Sequence, residues 1–145
     1  MPTSHFNGAV TVSTIAFKPL PFTDGGSAIF PSGELAQITN GEPFRFLAYG
    51  DFNTKSGLPR GNHYHKSKTE HLYVLTGSLT AVLEDVSTKE RMSIELASGD
   101  VIVIAPGIAH AYIAHGYTQF VEFSPSVYDG GDTYAHLLTE PVAHV

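Results

Sequence analysis

The sequence predicts an all-β domain folded as a sandwich or barrel. Short segments rich in β-branched and aromatic residues fill most of the chain, and Gly, Pro, Asp or Ser interrupts them about every 8–12 residues. No segment sustains a helical period for three turns; the best is the short "DTYAHLLTE" near the C-terminus.

The strands are justified in chain order. "AVTVSTIAF" (9–17) and "ELAQIT" (34–39) flank a Pro- and Gly-rich stretch, Lys18 to Gly33, which reads as an ordered arm or long loop. In "FRFLAY" (44–49) parity decides whether Arg45 or the pair Phe44 and Phe46 faces the interior. "EHLYVLTG" (70–77) and "SLTAVLED" (78–85) meet at Gly77, a turn between two strands. In "RMSIEL" (91–96), Met92, Ile94 and Leu96 alternate with polar residues, the pattern of a strand with one wet face. Gly99 and Asp100 mark a tight reversal before "DVIVIA" (100–105), and "HAYIAH" (110–115) and "TQFVEFS" (118–124) follow. The expected organisation is one domain over 1–145, with an N-terminal strand-rich arm (1–43), a barrel core (44–124) and a tail (125–145). The apolar strands of residues 9–40 exceed what a minimal barrel needs, and uncovered strand edges invite pairing. A homodimer is therefore expected, with this segment pairing with or packing on the other subunit's barrel.

Composition excludes several function classes. The net charge is −6 with only eight Lys+Arg, which gives no basic face for nucleic acid. No apolar run approaches the roughly 20 residues of a membrane helix, and "MPTSHFNGAV" lacks the basic-then-apolar order of a signal peptide. A soluble, cytoplasmic protein with a small-molecule partner is expected. Without cysteine there is no thiolate chemistry, so a metal would be held by His, carboxylates and water.

"GNHYHKSKTEHLYVLTGSL" (61–79) is the informative stretch. His63 and His65 stand at i and i+2 and so share a face of one strand, an arrangement that suits a metal ion or an ordinary polar surface. The wider spacing separates the two. Gly57, five residues, His63-x-His65, four residues, Glu70, six residues and Gly77 resemble the first signature of the cupin superfamily at every position. "GDVIVIAPGIAH" resembles the second, with Gly99, Gly107 and His110 in register and Ala105 where the pattern has proline, Pro106 coming one place later. His-x-His-x4-Glu alone arises in about one shuffled chain in forty, and with both flanking glycines in about one in several thousand. The resemblance spans roughly residues 44–124 and implies a cupin double-stranded β-helix, a jelly-roll-like barrel.

In that fold alternate side chains point inward and the barrel mouth holds one small ligand. The resemblance brings His63, His65, Glu70 and His110 together as ligands for one divalent transition metal, Zn, Fe, Mn or Ni, with room for water or a bidentate substrate. His5, His71, His115, His136 and His144 lack partner spacing and read as surface or core polar residues, with His71 on the face opposite Glu70.

A narrower likeness bears on the reaction. "RGNHYHKSKTEHLYVLTGSL" resembles the corresponding segment of cupins acting on nucleotide-linked keto sugars: ketoisomerases, epimerases and the cupin half of a capsular-polysaccharide reductase. "FVEFSPSVYDGGDTY", with Glu122, Tyr128 and Asp132, is similar to them too. The ketoisomerases and epimerases generally work without metal, whereas the capsular enzyme's cupin half retains it. Such enzymes move protons beside a carbonyl, which needs a base and an acid. The resemblance implies His63 or His65 as base and Tyr64, Tyr73, Tyr112 or Lys68 as acid, with Tyr112 favoured. It implies Arg60, Tyr73 and Lys68 as substrate contacts, Arg60 toward a phosphate. An isomerase or epimerase is the expectation, with an iron-dependent dioxygenase and a non-catalytic ligand-binding cupin as alternatives. A mostly apolar cavity wall would favour an aromatic substrate, and a wall with Arg, Tyr and Asn a sugar nucleotide.

Overall fold

The computed structural model describes residues 2–15, 33–53 and 57–139 with their side chains, and residues 26–30 as backbone. The end of the first expected strand (16–17), most of the 18–33 stretch and His144 lie outside the described residues. An N-terminal group of strands comprises β1 (Thr3–His5), β2 (Val10–Thr14), β3 (Gly26–Phe30) and β4 (Gly33–Gln37). The barrel follows with β5 (Phe46–Phe52), β6 (Arg60–Tyr64), β7 (Glu70–Thr76), β8 (Ser78–Asp85) and β9 (Arg91–Ala97). It continues through β10 (Asp100–Ile104), β11 (Ile108–Ala114) and β12 (Thr118–Ser124) to the short β13 (Tyr134–Ala135). All pairings are antiparallel: one sheet runs β1-β2-β10-β7-β12-β5, the facing sheet β13-β6-β11-β8-β9, and β3 and β4 form a separate hairpin. This is the expected cupin jelly roll. "DTYAHLLTE" is not helical; a single 3-10 turn at Gly130–Asp132 leads into β13. No helix among the described residues is long and apolar enough to cross a membrane.

Period-2 patterning builds the interior. Leu72 and Val74 of β7, Leu79, Ala81 and Leu83 of β8, and Ile102 and Ile104 of β10 share one buried cluster between the sheets. Their alternate neighbours along each strand face outward yet are also covered. Tyr73, Val101 and Phe123 pack under Ala36, Ile38 and Phe44 from the arm side. On the other sheet Val82, Ala109 and Ala111 pack under Leu138 of the C-terminal tail, with Tyr64 and Ile113 alongside. Strands β7, β8 and β10 therefore read as nearly continuous apolar runs, whereas β9 keeps its clean alternation.

The expectation that residues 9–40 serve another subunit is changed in part: β2 pairs with β10 of its own barrel. The parity of "FRFLAY" also resolves. Phe46 faces the interior cavity, while Phe44 precedes the strand and packs edge-on against His71 and Phe123 outside.

One irregularity positions the site. In the β11–β6 ladder His110 pairs with His63 but Ala111 pairs with Gly61, leaving Asn62 as an extra residue. Gly61 and Asn62 both have positive φ, +98° and +57°, and the strand bulges. The bulge lets Arg60, opposite Tyr112, return to the face that carries His63. A Cβ on Gly61 would sit 2.5 Å from the His110 carbonyl oxygen, a backbone atom that cannot swing away. Gly61→Ala should therefore destabilise the fold by about 2–3 kcal/mol through strain and overpacking, measured by urea denaturation. A loss below about 0.5 kcal/mol would show that the bulge relaxes freely.

Candidate metal and substrate site

His63 comes from β6 and His65 follows its end; the 66–69 turn leads to Glu70, the first residue of β7; His110 sits in β11 beside His63. The four donor groups lie within 4.8 Å of one another, and all but His63 are buried. His110 Nε2 is 3.2 Å from Glu70 Oε2, and His65 Nε2 is 3.6 Å from Glu70 Oε1. Ligands on metal bonds of about 2.1 Å stand roughly 3.0–3.4 Å apart, so the first separation falls in the range of a cage and the second just beyond it.

The protonation pattern points the same way. His65 Nδ1 lies 2.7 Å from the Asp132 carbonyl, and His110 Nδ1 lies 3.0 Å from the Ile108 carbonyl. A carbonyl only accepts, so the ring protons sit on Nδ1 and each Nε2 lone pair faces the centre. Both Nε2 atoms are buried and have no hydrogen-bond partner. Two bare nitrogens converge on a carboxylate, all three acceptors. The donor set fits a metal ion.

Electrostatics agree. Burial disfavours a charged Glu70, but His110 beside it, with polar contacts from His110, His65 and Tyr112, outweighs that and holds the carboxyl well below the usual range. Burial lowers His110 while Glu70 raises it, and the net shift is upward. Burial and the neighbouring His110 push His63 down to about 4, leaving it neutral at physiological pH, the form a metal requires.

A cavity of about 340 Å³ opens over the cage, lined by Phe46, Arg60, Lys68, Tyr112, Glu122 and Tyr128 among others. The Tyr112 hydroxyl donates to Glu70 Oε2 at 2.7 Å, so it orients the carboxylate and is committed there. Lys68 Nζ donates to Glu122 Oε1 at 2.7 Å, stands 3.7 Å from Glu70 Oε1 and lies over the Phe46 ring. Burial, then Glu70, raises the Glu122 carboxyl, partly offset by Lys68. The Arg60 guanidinium rests on Phe52 and Phe120 and donates to the Asp51 carbonyl at 3.0 Å. Gly50 makes room for Phe120 in this stack, since a Cβ there would meet the ring at 2.4 Å.

Of the residues singled out from sequence, His63, His65, Glu70, His110, Arg60, Lys68 and Tyr112 meet in this cavity. Tyr73 does not. It alternates with Leu72 and Val74 and is buried on the outer face against Val101 and Phe123, so it is no substrate contact. Tyr64 is likewise outside, stacked on Tyr134 at 5.3 Å. His71 lies outside as expected, against Phe44 and Phe123. The pairing of Glu122 with Lys68 went unforeseen, although its parity with Phe120 in β12 would have signalled it. A larger outer groove of about 510 Å³, lined by Leu35, Ile38, Phe44, Leu47 and Val121 among others, holds no titratable side chain and lies away from the cage.

The family profile described as the polysaccharide biosynthesis C-terminal domain matches residues 42–129, more than half of the chain. The chain belongs to the polysaccharide biosynthesis C-terminal domain family. The matched span carries all four cage residues. Solved structures share the fold. A 3,4-ketoisomerase from Helicobacter canadensis superposes with a TM-score of 0.69 at 18% identity, over 86% of this chain and 88% of that one. The 3,4-ketoisomerase QdtA from Thermoanaerobacterium thermosaccharolyticum, solved with TDP, gives 0.63 at 23% identity, over 84% and 85%. The dTDP-4-dehydrorhamnose 3,5-epimerase of Bacillus anthracis str. Ames, solved with TDP and PPi, gives 0.73 at 13%, over 98% and 93%. No curated protein matches the chain.

Tyr112→Phe should remove a donor to a buried carboxylate and lower stability by about 1.5–3 kcal/mol, and it should shift the ring NMR signals of His65 and His110. Tyr73→Phe should leave those signals where they are. The reverse pattern would mean that the β7 parity is misassigned.

Proposed function

We propose that the protein is a metal-binding cupin enzyme that moves a proton beside the carbonyl of a nucleotide-linked keto sugar, as an isomerase or epimerase. The observation that carries this is a cage of bare imidazole nitrogens and a carboxylate beneath a cavity holding a Lys–carboxylate pair and an aromatic-backed arginine. The 3,4-ketoisomerase and 3,5-epimerase structures that share the fold support the reaction class.

His63, His65, Glu70 and His110 would hold one divalent metal, which when bound would polarise the sugar carbonyl. A histidine whose lone pair binds metal cannot also take a proton, so the sequence-based choice of His63 or His65 as base conflicts with their ligand role. We assign proton transfer to the pair that the cage leaves over. Glu122 takes the proton next to the carbonyl, and the Lys68 ammonium, 2.7 Å away, neutralises the oxygen that gains charge. Tyr112 keeps Glu70 oriented and stays protonated, since burial and then Glu70 raise its phenol well above the usual range. Arg60, held by Phe52, Phe120 and the Asp51 carbonyl, faces the cavity with its remaining N–H groups toward a phosphate. Assembly as a homodimer belongs to this reading: β3 and β4 pair with neither main sheet, and β5 ends its sheet with Leu47 and Tyr49 exposed.

The purified protein should contain close to one divalent metal per chain by elemental analysis, and the His63→Ala/His65→Ala protein essentially none. Equal content in both would remove the metal assignment. Incubation with TDP-4-keto-6-deoxyglucose in D2O should wash deuterium into carbons flanking the ketone, read by NMR, and Glu122→Gln should slow this at least a hundredfold. Oxygen consumption on a small organic acid, with no exchange on any keto sugar tested, would replace the proposal with a dioxygenase. Arg60→Ala should weaken nucleotide-sugar binding about ten- to a hundredfold, and a binding constant equal to wild type would detach Arg60 from the phosphate. Light scattering should give twice the monomer mass at micromolar concentration.

A further inference from the structure

We propose that Asp132 is a positioning residue for the cage, and that the C-terminal strap it belongs to, residues 130–139, holds His65 in the one orientation that can bind metal. This rests on the metal reading above. The strap lies beyond the span matched by the family profile, 42–129.

Asp132 touches every residue of the turn between His65 and Lys68. Its backbone carbonyl accepts from His65 Nδ1 at 2.7 Å. Its carboxylate accepts from the amides of Lys66 at 2.8 Å, Ser67 at 3.1 and 3.3 Å, and Lys68 at 2.9 Å. A carboxylate capping a turn is common by itself. The unusual part is that the same residue delivers its own carbonyl to the imidazole next to that turn. Capping fixes where the carbonyl sits, and the carbonyl fixes which ring nitrogen carries the proton. If the contact were lost, the His65 ring could flip or move its proton to Nε2, and either change would close the lone pair facing Glu70. The cap also holds the backbone of Lys68, whose ammonium enters the cavity.

The far end of the strap is anchored on Asn62, next to His63 in β6. The Asn62 side chain accepts from the amides of Leu138 at 2.9 Å and Thr139 at 3.2 Å and donates to the Thr139 carbonyl at 3.1 Å. The Asn62 carbonyl takes the amide of His136 at 2.8 Å. Tyr134 stacks on Tyr64 under the Lys66 ammonium, and Leu138 is buried. Asn62, the extra residue of the β6 bulge, thus serves as the strap's latch.

Two readouts on the full chain test this. The first is zinc affinity by competition with a chromophoric chelator; the second is the 15N spectrum of His65 in the metal-free protein, which reports its tautomer. Wild type should show a protonated Nδ1 and a bare Nε2. Asp132→Ala should show a mixture and bind zinc about 10- to 100-fold more weakly, with Asp132→Asn in between because an amide oxygen still caps part of the turn. If Asp132→Ala does not fold, Asp132→Asn and the strap variant Leu138→Ala, which trims a side chain in the outer apolar layer and no cage residue, should each shift the tautomer and weaken zinc binding. Folded variants with the wild-type tautomer and affinity would overturn the proposal. If wild type binds no zinc while its tautomer depends on Asp132, the metal reading fails and the positioning role stands. If zinc binds and neither readout follows Asp132, the positioning role fails alone.

Discussion

The site is organised by three acceptors that face one another with nothing to donate between them. Glu70 is buried at the start of β7, and the Nε2 atoms of His65 and His110 converge on it, each with its proton engaged on the far side of the ring by a carbonyl. Such a cluster is electrostatically unfavourable without a positive charge at its centre. In the proposed function a divalent cation would meet that demand, because it would satisfy both nitrogens and the carboxylate at once. The rest of the molecule can be read as the apparatus that keeps these acceptors from escaping.

That apparatus is built in layers. The interior between the sheets holds the strands in register, and each sheet is backed on its outer side by a second apolar layer, the arm side over Tyr73 and Phe123 and the tail over Ala109 and Ala111. His110 lies between two of these buried alanines in β11, Ala109 and Ala111, and is itself buried. The β6 bulge then sets the relation between cage and cavity. It puts Arg60 and His63 on one face although their sequence separation is odd, and it gives Asn62 to the tail. One extra residue therefore links the mouth, the cage and the strap.

Much of this was legible in the sequence for a physical reason. Period 2 is strict in a strand, so "EHLYVLTG" already separates Glu70, Leu72 and Val74 from His71 and Tyr73, and the placement of Tyr73 in the site contradicted that parity. The grouping of His63, His65, Glu70 and His110 followed from the cupin resemblance, and the structure brings them together although β6 and β7 belong to different sheets. What could not be read was whatever depends on a break in the period or on a distant segment. The bulge at Asn62 has no signature beyond a Gly–Asn pair, and "FRFLAY" changes sides between Phe44 and Phe46 because Phe44 precedes the strand. The contact of Asp132 with His65 joins residues 67 positions apart through a backbone atom, which no side-chain pattern encodes.

The departure from the second cupin signature has a structural account of the same kind. Proline is the residue of the pattern at position 105, and proline has no amide proton. Ala105 does, and it donates to the Ala9 carbonyl at 2.8 Å, extending the contact between the barrel and β2 by one hydrogen bond. The turn is still rigid, because Pro106 restricts it one place later and Gly107 adopts the positive φ of +86° that the reversal needs. Gly107 in turn donates its amide to the His65 carbonyl at 2.8 Å. His65 is thus gripped from two directions, its backbone by the turn of the second motif and its ring by Asp132, while His110 follows three residues after that same glycine. Moving the proline by one position keeps the reversal stiff and frees an amide to bind the N-terminal strand to the turn on which both histidines depend.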